Sequence, residues 1–340
     1  MSWSRTNLLI KAAVERLGGA AEALSGRHTD LLMRLRLGER QAVISKTRSP
    51  FLTAVAQALS NNKYASRELL AGRGLPVVPG LLVDDGDEAD GADVRAMLAR
   101  HGRVVVKPNG GNRGVGVTTD VRTIAAARRA VARAQAVDGD EEAVVEPYVA
   151  GVNLRVCVIG GEYVAAAEVQ RPRIVGGSSA AAQIEVFNRD ARRGSWAAPG
   201  LEPMDRIEPE EDLVAHLEVH GIDLGTRVPD GVEVEITGEE AEVIDRTDEL
   251  HPGWARVAIE ACGWLGVDVG GVDLRGPLAV FRAAPELAEG TGVVLEVNVR
   301  PALHLHALPT QGAPRPVFAA FVAYCLQLEG APRACAAVQV

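Results

Sequence analysis

The sequence predicts an α+β protein built on antiparallel hairpins, and three observations carry that prediction. Short apolar runs follow one another across glycine turns: 103–108 and 117–119 flank a glycine-rich segment, and 150–159 and 163–168 flank Gly160-Gly161. Connections that short join neighbouring strands directly, which is the antiparallel arrangement. Helical periodicity occupies separate stretches at 63–72, 123–136 and 253–265. The 340 residues, 47% of them hydrophobic, can bury a sizeable core and are long enough for two or three domains or subdomains.

Taken in order, residues 6–24 have helical periodicity with a break at Gly18-Gly19. Residues 31–37 and 41–45 alternate like short strands around Gly38-Glu39. Asn61-Asn62 caps the helix over 63–72, and the chain leaves that helix through Pro76 and Pro79. An acidic loop at 84–91 and a short helix to Arg100 lead to the 103–108 strand. The 123–136 helix is followed by a strand at 143–149 and by the hairpin at 150–168. Residues 170–211 read as one long basic loop, and 232–237 with 241–245 as a further hairpin. Thr247 to Pro252 introduces the 253–265 helix, a helix around 318–328 follows, and an alanine-rich tail looks disordered. No internal repeat is visible.

A net charge of -9 argues against a nucleic-acid-binding surface, while leaving room for a local basic pocket. Cys157, Cys262, Cys325 and Cys335 are widely spread and form no C-x-x-C pair, so they read as reduced thiols of a cytoplasmic protein. Lys11 interrupts the apolar run Leu8-Leu9-Ile10, which therefore reads as neither a signal peptide nor a membrane anchor.

The chemistry-bearing residues cluster at strand ends. In Leu295-Glu296-Val297-Asn298 a carboxylate and an amide stand two apart between apolar residues, so on a strand both point to one face. Asp273, between Val272 and Leu274, offers a third oxygen from a second short strand. Asp, Glu and Asn oxygens together suit a hard cation such as Mg2+; the same pattern also serves a solvated strand face.

Lys107 ends its strand and runs into Asn109-Gly110-Gly111-Asn112-Arg113-Gly114-Val115-Gly116. No Gly-Lys-Ser or Gly-Lys-Thr follows and no helix opens there, so this is neither a P-loop nor a Rossmann turn. It reads as a hairpin flap whose glycines let backbone N–H groups approach phosphate oxygens, or as a plain surface hairpin. Pro147 ends regular pairing after Glu146, leaving free backbone groups able to meet a base edge, with Glu146 and Asn153 nearby.

The arginines of the 170–211 stretch, Arg171, Arg173, Arg189, Arg192 and Arg193, suit carboxylate or phosphate recognition by a lid, or a solvated charged loop. His304 and His306 lack a third ligand nearby and read as pocket or capping residues.

Together, the flap, Lys107, the linker after Glu146, Asp273 and the Glu296-x-Asn298 pair resemble the ATP-grasp superfamily of carboxylate-amine ligases. From about Thr6 to Val317 the order of segments resembles the ATP-grasp half of bacterial bifunctional glutathione synthetases and of cyanophycin synthetase. The strings that carry this are Asn62-Lys63, Gly74-Leu75-Pro76-Val77, Lys107-Pro108-Asn109, the run from Phe187 to Gly194, the run from Thr247 to Pro252, and Gly271-Val272-Asp273.

The resemblance implies an ATP-grasp fold with two α/β subdomains clamping ATP. A small N-terminal α/β region would cover 1–62, a subdomain bearing the flap 63–150, a C-terminal subdomain with the magnesium and substrate sites 151–332, and a tail 333–340. It assigns Lys63, Lys107, Gly110, Gly111, Gly114, Gly116, Glu146, Val149 and Asn153 to ATP. Asp273, Glu296 and Asn298 match the ligands of Mg2+, two ions being expected and Mn2+ able to substitute. Arg155 and Arg171 match groups facing the transferred phosphoryl or a tetrahedral oxyanion.

Asn188, Arg189, Arg192, Arg193, Arg300, His304 and His306 are the candidates for substrate. Two departures fall near that substrate. Where relatives carry Pro-Gly-Leu-Arg, this chain has Pro301-Ala302-Leu303-His304, with Arg300 in place of a small residue. An Asn- and Gly-rich segment is replaced by Ile236-Thr237-Gly238-Glu239-Glu240.

The implied activity is ATP-dependent ligation of an amino-acid or small-peptide carboxylate to an amine through an acylphosphate, releasing ADP and phosphate, as in peptide natural-product biosynthesis. A glutathione-synthetase-like ligase ranks lower, because the pocket strings differ and no glutamate-cysteine ligase half precedes them. A carboxylate kinase and a catalytically silent ATP-binding subunit would use the same nucleotide residues and rank lower as well. The expected partners are small molecules, with no nucleic acid or membrane, and association of identical copies is left open.

Overall fold

The computed structural model describes residues 3–24, 30–84, 91–111, 114–137, 142–194, 200–236, 238–285 and 291–331. The tip of the acidic loop, Asn112 and Arg113 of the flap, and the alanine-rich tail lie outside them.

The chain opens with helix α1 (Arg5–Arg16) and a three-stranded antiparallel sheet, β1 (Ala20–Ala23), β2 (Leu32–Leu37) and β3 (Arg40–Ser45). The helix expected to reach residue 24 stops at Arg16. Gly18 adopts φ +81°, and the chain turns back at Gly19, where a Cβ would stand 2.3 Å from the Arg36 carbonyl oxygen. Only glycine permits both the left-handed turn and that approach, so 20–23 becomes an edge strand paired with β2.

Helices α2 (Ala54–Asn61) and α3 (Lys63–Gly72) follow. Thr53 accepts from Ala56 N at 3.1 Å to cap the first, and Asn62 accepts from Ala65 N at 2.8 Å to cap the second. The sequence reading missed α2, although Thr53 ahead of an Ala-rich run is its start signal.

A four-stranded antiparallel sheet runs in the order β4 (Leu81–Val83), β7 (Ala143–Pro147), β5 (Val104–Pro108), β6 (Thr118–Val121). It is covered by α4 (Ala92–His101) and α5 (Ile124–Gln135), which bury Val94, Leu98, Ala127 and Val131 against Val104, Val106 and Val145. Val106 pairs with Thr118 and Val104 with Val121, so the glycine-rich segment does connect two antiparallel strands.

The central sheet has five antiparallel strands, β14 (Glu242–Asp245), β9 (Tyr163–Gln170), β8 (Val152–Ile159), β15 (Val269–Gly276) and β16 (Val293–Asn298), in that spatial order. Helix α8 (Pro252–Trp264) covers one face, starting with proline in its first turn and capped by His251 Nδ1, which accepts from Gly253 N at 3.0 Å. Trp254 anchors it, donating from Nε1 to the Val280 carbonyl at 2.9 Å and meeting Phe281 edge-on at 5.0 Å. Short helices α9 (Leu278–Phe281) and α10 (His304–Ala307) flank β16, and α11 (Val317–Cys325) packs on α1 and the N-terminal sheet. Phe318, Phe321 and Val322 share one core with Ile10, Val14, Met33 and Leu35.

Residues 170–236 are not a structureless loop. They build a module of β10 (Arg173–Val175), α6 (Ala180–Phe187), β11 (Arg193–Gly194), β12 (Met204–Asp205), α7 (Glu211–Val219) and β13 (Glu233–Glu235). Its own core includes Ile174, Ile184, Ile207, Leu217 and Val234. The apolar residues are spaced too irregularly along the chain to reveal this. The expected 232–245 hairpin does not form: β13 pairs with β10 through Val234 and Ile174, whereas β14 pairs with β9 through Val243 and Val169.

Candidate active site

Three neighbouring strands place three charged side chains in one row. Arg155 on β8 is opposite Asp273 on β15, which is opposite Glu296 on β16. Directly opposite residues share a face of a sheet, so the row is a consequence of register alone. Arg155 grips Asp273 with two nitrogens, Nε and Nη2, the latter at 2.8 Å from Oδ2. Asn298, two residues past Glu296, donates from Nδ2 to Glu296 Oε1 at 3.0 Å and lies 3.4 Å from Asp273 Oδ2. Asp273, Glu296 and Asn298 thus converge, Glu296 and Asn298 through strand alternation and Asp273 through the pairing of β15 with β16.

The two carboxyls are shifted in opposite directions. Burial raises the Asp273 pKa, Arg155 pulls it down and Glu296 pushes it up, leaving a net rise. Burial also raises Glu296, but the ammonium groups of Lys63 and Lys107 outweigh it and hold that carboxyl below the usual range. Two adjacent buried carboxyls give this wall an oxygen-rich face beside three cations, Arg155, Lys63 and Lys107. Among the described residues no group of three or more His, Cys, Asp and Glu side chains could hold a metal ion. Two carboxylates and an amide are oxygen donors of the kind that suits Mg2+, with coordination positions left for water and phosphate oxygens.

The opposite wall comes from the four-stranded sheet. Lys107 and Glu146 lie on adjacent strands and pair at 2.8 Å, while Arg67 of α3 approaches the same carboxylate at 3.4 Å. All three are buried. Lys63, the first residue of α3, donates to the Gly110 carbonyl and to the Gly111 carbonyl at 3.2 Å. Its backbone N–H donates to Asn109 O at 2.9 Å, tying the helix start to the flap base. Gly111, Gly114 and Gly116 have φ of +75°, +76° and +74°, and Gly116 N donates to Asp212 Oδ1 at 3.0 Å.

Between the sheets, Arg275 donates to the Val149 carbonyl at 2.9 Å and to the Tyr148 hydroxyl at 3.0 Å, fixing the linker between β7 and β8. Asn153 is directly opposite Arg275. Sequence reasoning missed Arg67 and Arg275; the latter follows Asp273 by two residues on the same strand and so shares its face.

Both walls line a single cavity of about 650 Å3, which also reaches Arg171, Arg300 and His304. Arg171 donates to the Glu239 carbonyl at 2.9 Å and stands 4.0 Å from Glu240. Burial raises the Glu240 carboxyl, and Arg171 partly offsets it.

Other substrate candidates lie outside that lining. Asn188 bonds both ways with the Ile207 backbone at 2.8 Å, closing its own module. Arg189 is exposed. Arg192 spans Asp190 and Glu242, both at 2.7 Å, and Arg193 donates to the Asp205 carbonyl at 2.7 Å. The Arg192–Glu242 pair holds the 170–236 module to β14 of the central sheet. His306 is buried behind the wall on α10, rather than on a strand beside His304, and burial drives its pKa down to about 3.

No family model matches the chain. The chain is similar to cyanophycin synthetase of Nostoc sp., with 30% identity over 321 residues, covering 92% of this chain and 34% of that protein. It is also similar to the glutathione biosynthesis bifunctional protein GshAB of Clostridium perfringens, at 24% identity over 278 residues, 79% of this chain and 34% of that protein. The crystal structure of a bifunctional glutathione synthetase from Pasteurella multocida superposes with a TM-score of 0.55 at 22% identity, over 92% of this chain and 44% of that one. The chain spans about a third of the length of the curated relatives it matches.

Two antiparallel sheets enclosing a cavity at a glycine-rich hairpin, together with the superposition on the bifunctional glutathione synthetase, define the class: the chain has the ATP-grasp fold. Within that class its sequence relatives include cyanophycin synthetases and bifunctional glutathione biosynthesis proteins.

Proposed function

We propose that the chain is an ADP-forming ligase that activates the carboxylate of an amino acid or small peptide as an acylphosphate and joins it to an amine. The observation that carries this reading is the Arg155–Asp273–Glu296 row facing Lys63 and Lys107 across one cavity. A carboxylate and a phosphate held about 4 Å apart repel by about 4 kcal/mol at an effective dielectric near 20. Cations converging on both sides offset that barrier. Lys63, Lys107 and the flap glycines orient the ATP phosphates, and the linker at Glu146–Val149 with Asn153 receives adenine and ribose. Asp273, Glu296 and Asn298 would hold Mg2+, two ions with Mn2+ as a substitute, and the metal supplies charge neutralisation on phosphate oxygens when bound.

Arg155 and Arg171 line the same cavity and face the group being transferred. The substrate carboxylate takes the phosphoryl group, ADP departs, and the amine displaces phosphate to leave an amide. Closure of the hairpin over the cavity keeps water from the acylphosphate. No helix of the described residues is long and apolar enough to cross a membrane. A cytoplasmic location and small-molecule partners belong to this proposal.

The test is ADP release with Mg-ATP across amino acids and dipeptides, with and without amines, with products identified by mass. ADP and a new amide mass appearing only with carboxylate and amine together support a ligase. ADP from a carboxylate alone identifies a carboxylate kinase instead.

A further inference from the structure

The two ends of the glycine-rich hairpin are held by different parts of the molecule. Its N-terminal stem is tied within its own subdomain: Asn109 accepts from Lys63 N through its carbonyl and from Tyr64 N through Oδ1, both at 2.9 Å. Its C-terminal stem is bonded across to the 170–236 module. Gly116 is buried, and its N–H donates at 3.0 Å to Oδ1 of Asp212, in the first turn of α7. Arg133 of α5 completes the ring. It donates from Nη1 to the Val117 carbonyl at 2.7 Å and to Thr118 Oγ1 at 3.1 Å, and from Nη2 to the Asp212 carbonyl at 3.1 Å and to Asp212 Oδ1.

The surroundings make this a built junction. The Arg133 side chain is only 9% exposed, so the carboxylate meets a largely buried guanidinium and a buried backbone N–H, both through charge-assisted bonds. Gly116 has φ +74°, and a Cβ there would stand 2.6 Å from Pro108 Cγ and from Val137 Cγ2, so only glycine brings this N–H to face α7. Helix α7 itself belongs to both bodies. Leu213 and Leu217 enter the core of the module, whereas Val219 enters the core of the four-stranded sheet, and its carbonyl accepts from Arg129 Nη2 at 2.8 Å. Val115 and Val117 of the hairpin and Asp205 and Glu235 of the module line the same cavity. The hairpin and the module are therefore two walls of one space, joined at Asp212.

We propose that Asp212 is a positioning residue that latches the C-terminal stem of the hairpin to the 170–236 module, so that the module sets how long a nucleotide is held beneath the hairpin. This rests on the ligase reading above for the place of the nucleotide. With Asp212 gone, the bonds of Asn109 still hold the N-terminal stem, and only the C-terminal stem is released.

The test is amide hydrogen exchange of the full chain at residues 114–118 and across α7, together with dissociation of fluorescently labelled Mg-ADP followed by stopped flow. Exchange in the nucleotide-free chain judges the latch without binding or turnover, so its failure is distinguishable from a failure of the ligase reading. Asp212→Ala is expected to raise exchange at 114–118 about 10-fold or more and to speed Mg-ADP dissociation by a similar factor, as the loss of a charge-assisted hydrogen bond implies. The amides of β5 and of the second half of α7 stay protected. Asp212→Asn, which keeps an acceptor for Gly116 N but loses the charge facing Arg133, recovers part of both effects. Glu211→Ala removes an exposed acid from the same turn and leaves both readouts unchanged. Unchanged exchange at 114–118 in Asp212→Ala overturns the proposal, and so does a rise of equal size throughout α7, which would make Asp212 only a helix-stabilising acid. Faster exchange at 114–118 with unchanged Mg-ADP dissociation overturns it as well, because the hairpin would then be freed without loosening the nucleotide.

Discussion

The buried cluster of Lys107, Glu146 and Arg67 allows a prediction whose size follows from its geometry. One carboxylate serves two cations, at 2.8 Å and 3.4 Å, and all three groups are at most 6% exposed. At an effective dielectric near 20, the two attractions are about 6 and about 5 kcal/mol before desolvation is subtracted. Glu146→Gln therefore strands two buried cations next to one another, and breaking buried pairs in this way costs about 3–5 kcal/mol. Lys107→Met leaves Glu146 still held by Arg67 and adds an apolar side chain of similar length, so its effect should be about 1–2 kcal/mol. Native-state hydrogen exchange at the amides of β5 and β7, followed against urea, reads the local stability directly. If Lys107→Met destabilises these strands as much as Glu146→Gln does, the carboxylate is not the shared keystone and the reasoning fails.

Three further outcomes are expected. Asp273→Asn removes one carboxylate of the cation site and the acid that Arg155 grips, and should lower turnover about 100-fold or more while nucleotide binding persists; unchanged turnover would remove Asp273 from the site. His216 is held neutral, because burial, then His220 and Arg133, bring its pKa to about 3 from the ordinary 6.5. The unfolded chain takes up that proton first as the pH falls, so the stability present above about pH 6.5 is lost progressively towards pH 3. Between pH 7 and pH 5 hydrogen exchange in α7 should show a loss of about 2 kcal/mol from His216, and His216→Gln should remove that part of the slope, leaving the share of His220, whose pKa burial also lowers. Gly151 adopts φ +127° with its Cβ position 2.1 Å from the Gly276 backbone, so Gly151→Ala should cost at least ~2 kcal/mol, read as a fall in melting temperature.

Residues whose geometry follows from strand periodicity were legible in the sequence. Glu296 and Asn298 share a face because they are two apart, and Lys107 ends a strand next to glycines. What periodicity does not carry is register between distant strands. That Asp273 stands between Arg155 and Glu296 depends on which strands become neighbours. The guanidiniums of Arg192 and Arg193 show the reverse failure: arginines gathered in a basic stretch suggest an anion site, yet Glu242 and the Asp205 carbonyl, remote in sequence, already engage them. The 170–236 core stayed hidden for the same reason, since Ile174 and Val234 meet only through β10 and β13. Arg48 lay outside any recognisable string, yet it lines the cavity next to Thr47, which donates to the Pro301 carbonyl.

The shared core of α1, the N-terminal sheet and α11 sets a constraint on how the protein is made. Ile10, Val14 and Met33 find Phe318, Phe321 and Val322 only after roughly three hundred further residues have been added. At about 5–20 residues per second, that is about 15–60 seconds during which this apolar face lacks the cover of α11. The core of α1 and the N-terminal sheet is thus among the last to be completed, and its open face is where a chaperone or an aggregation partner would find the nascent protein.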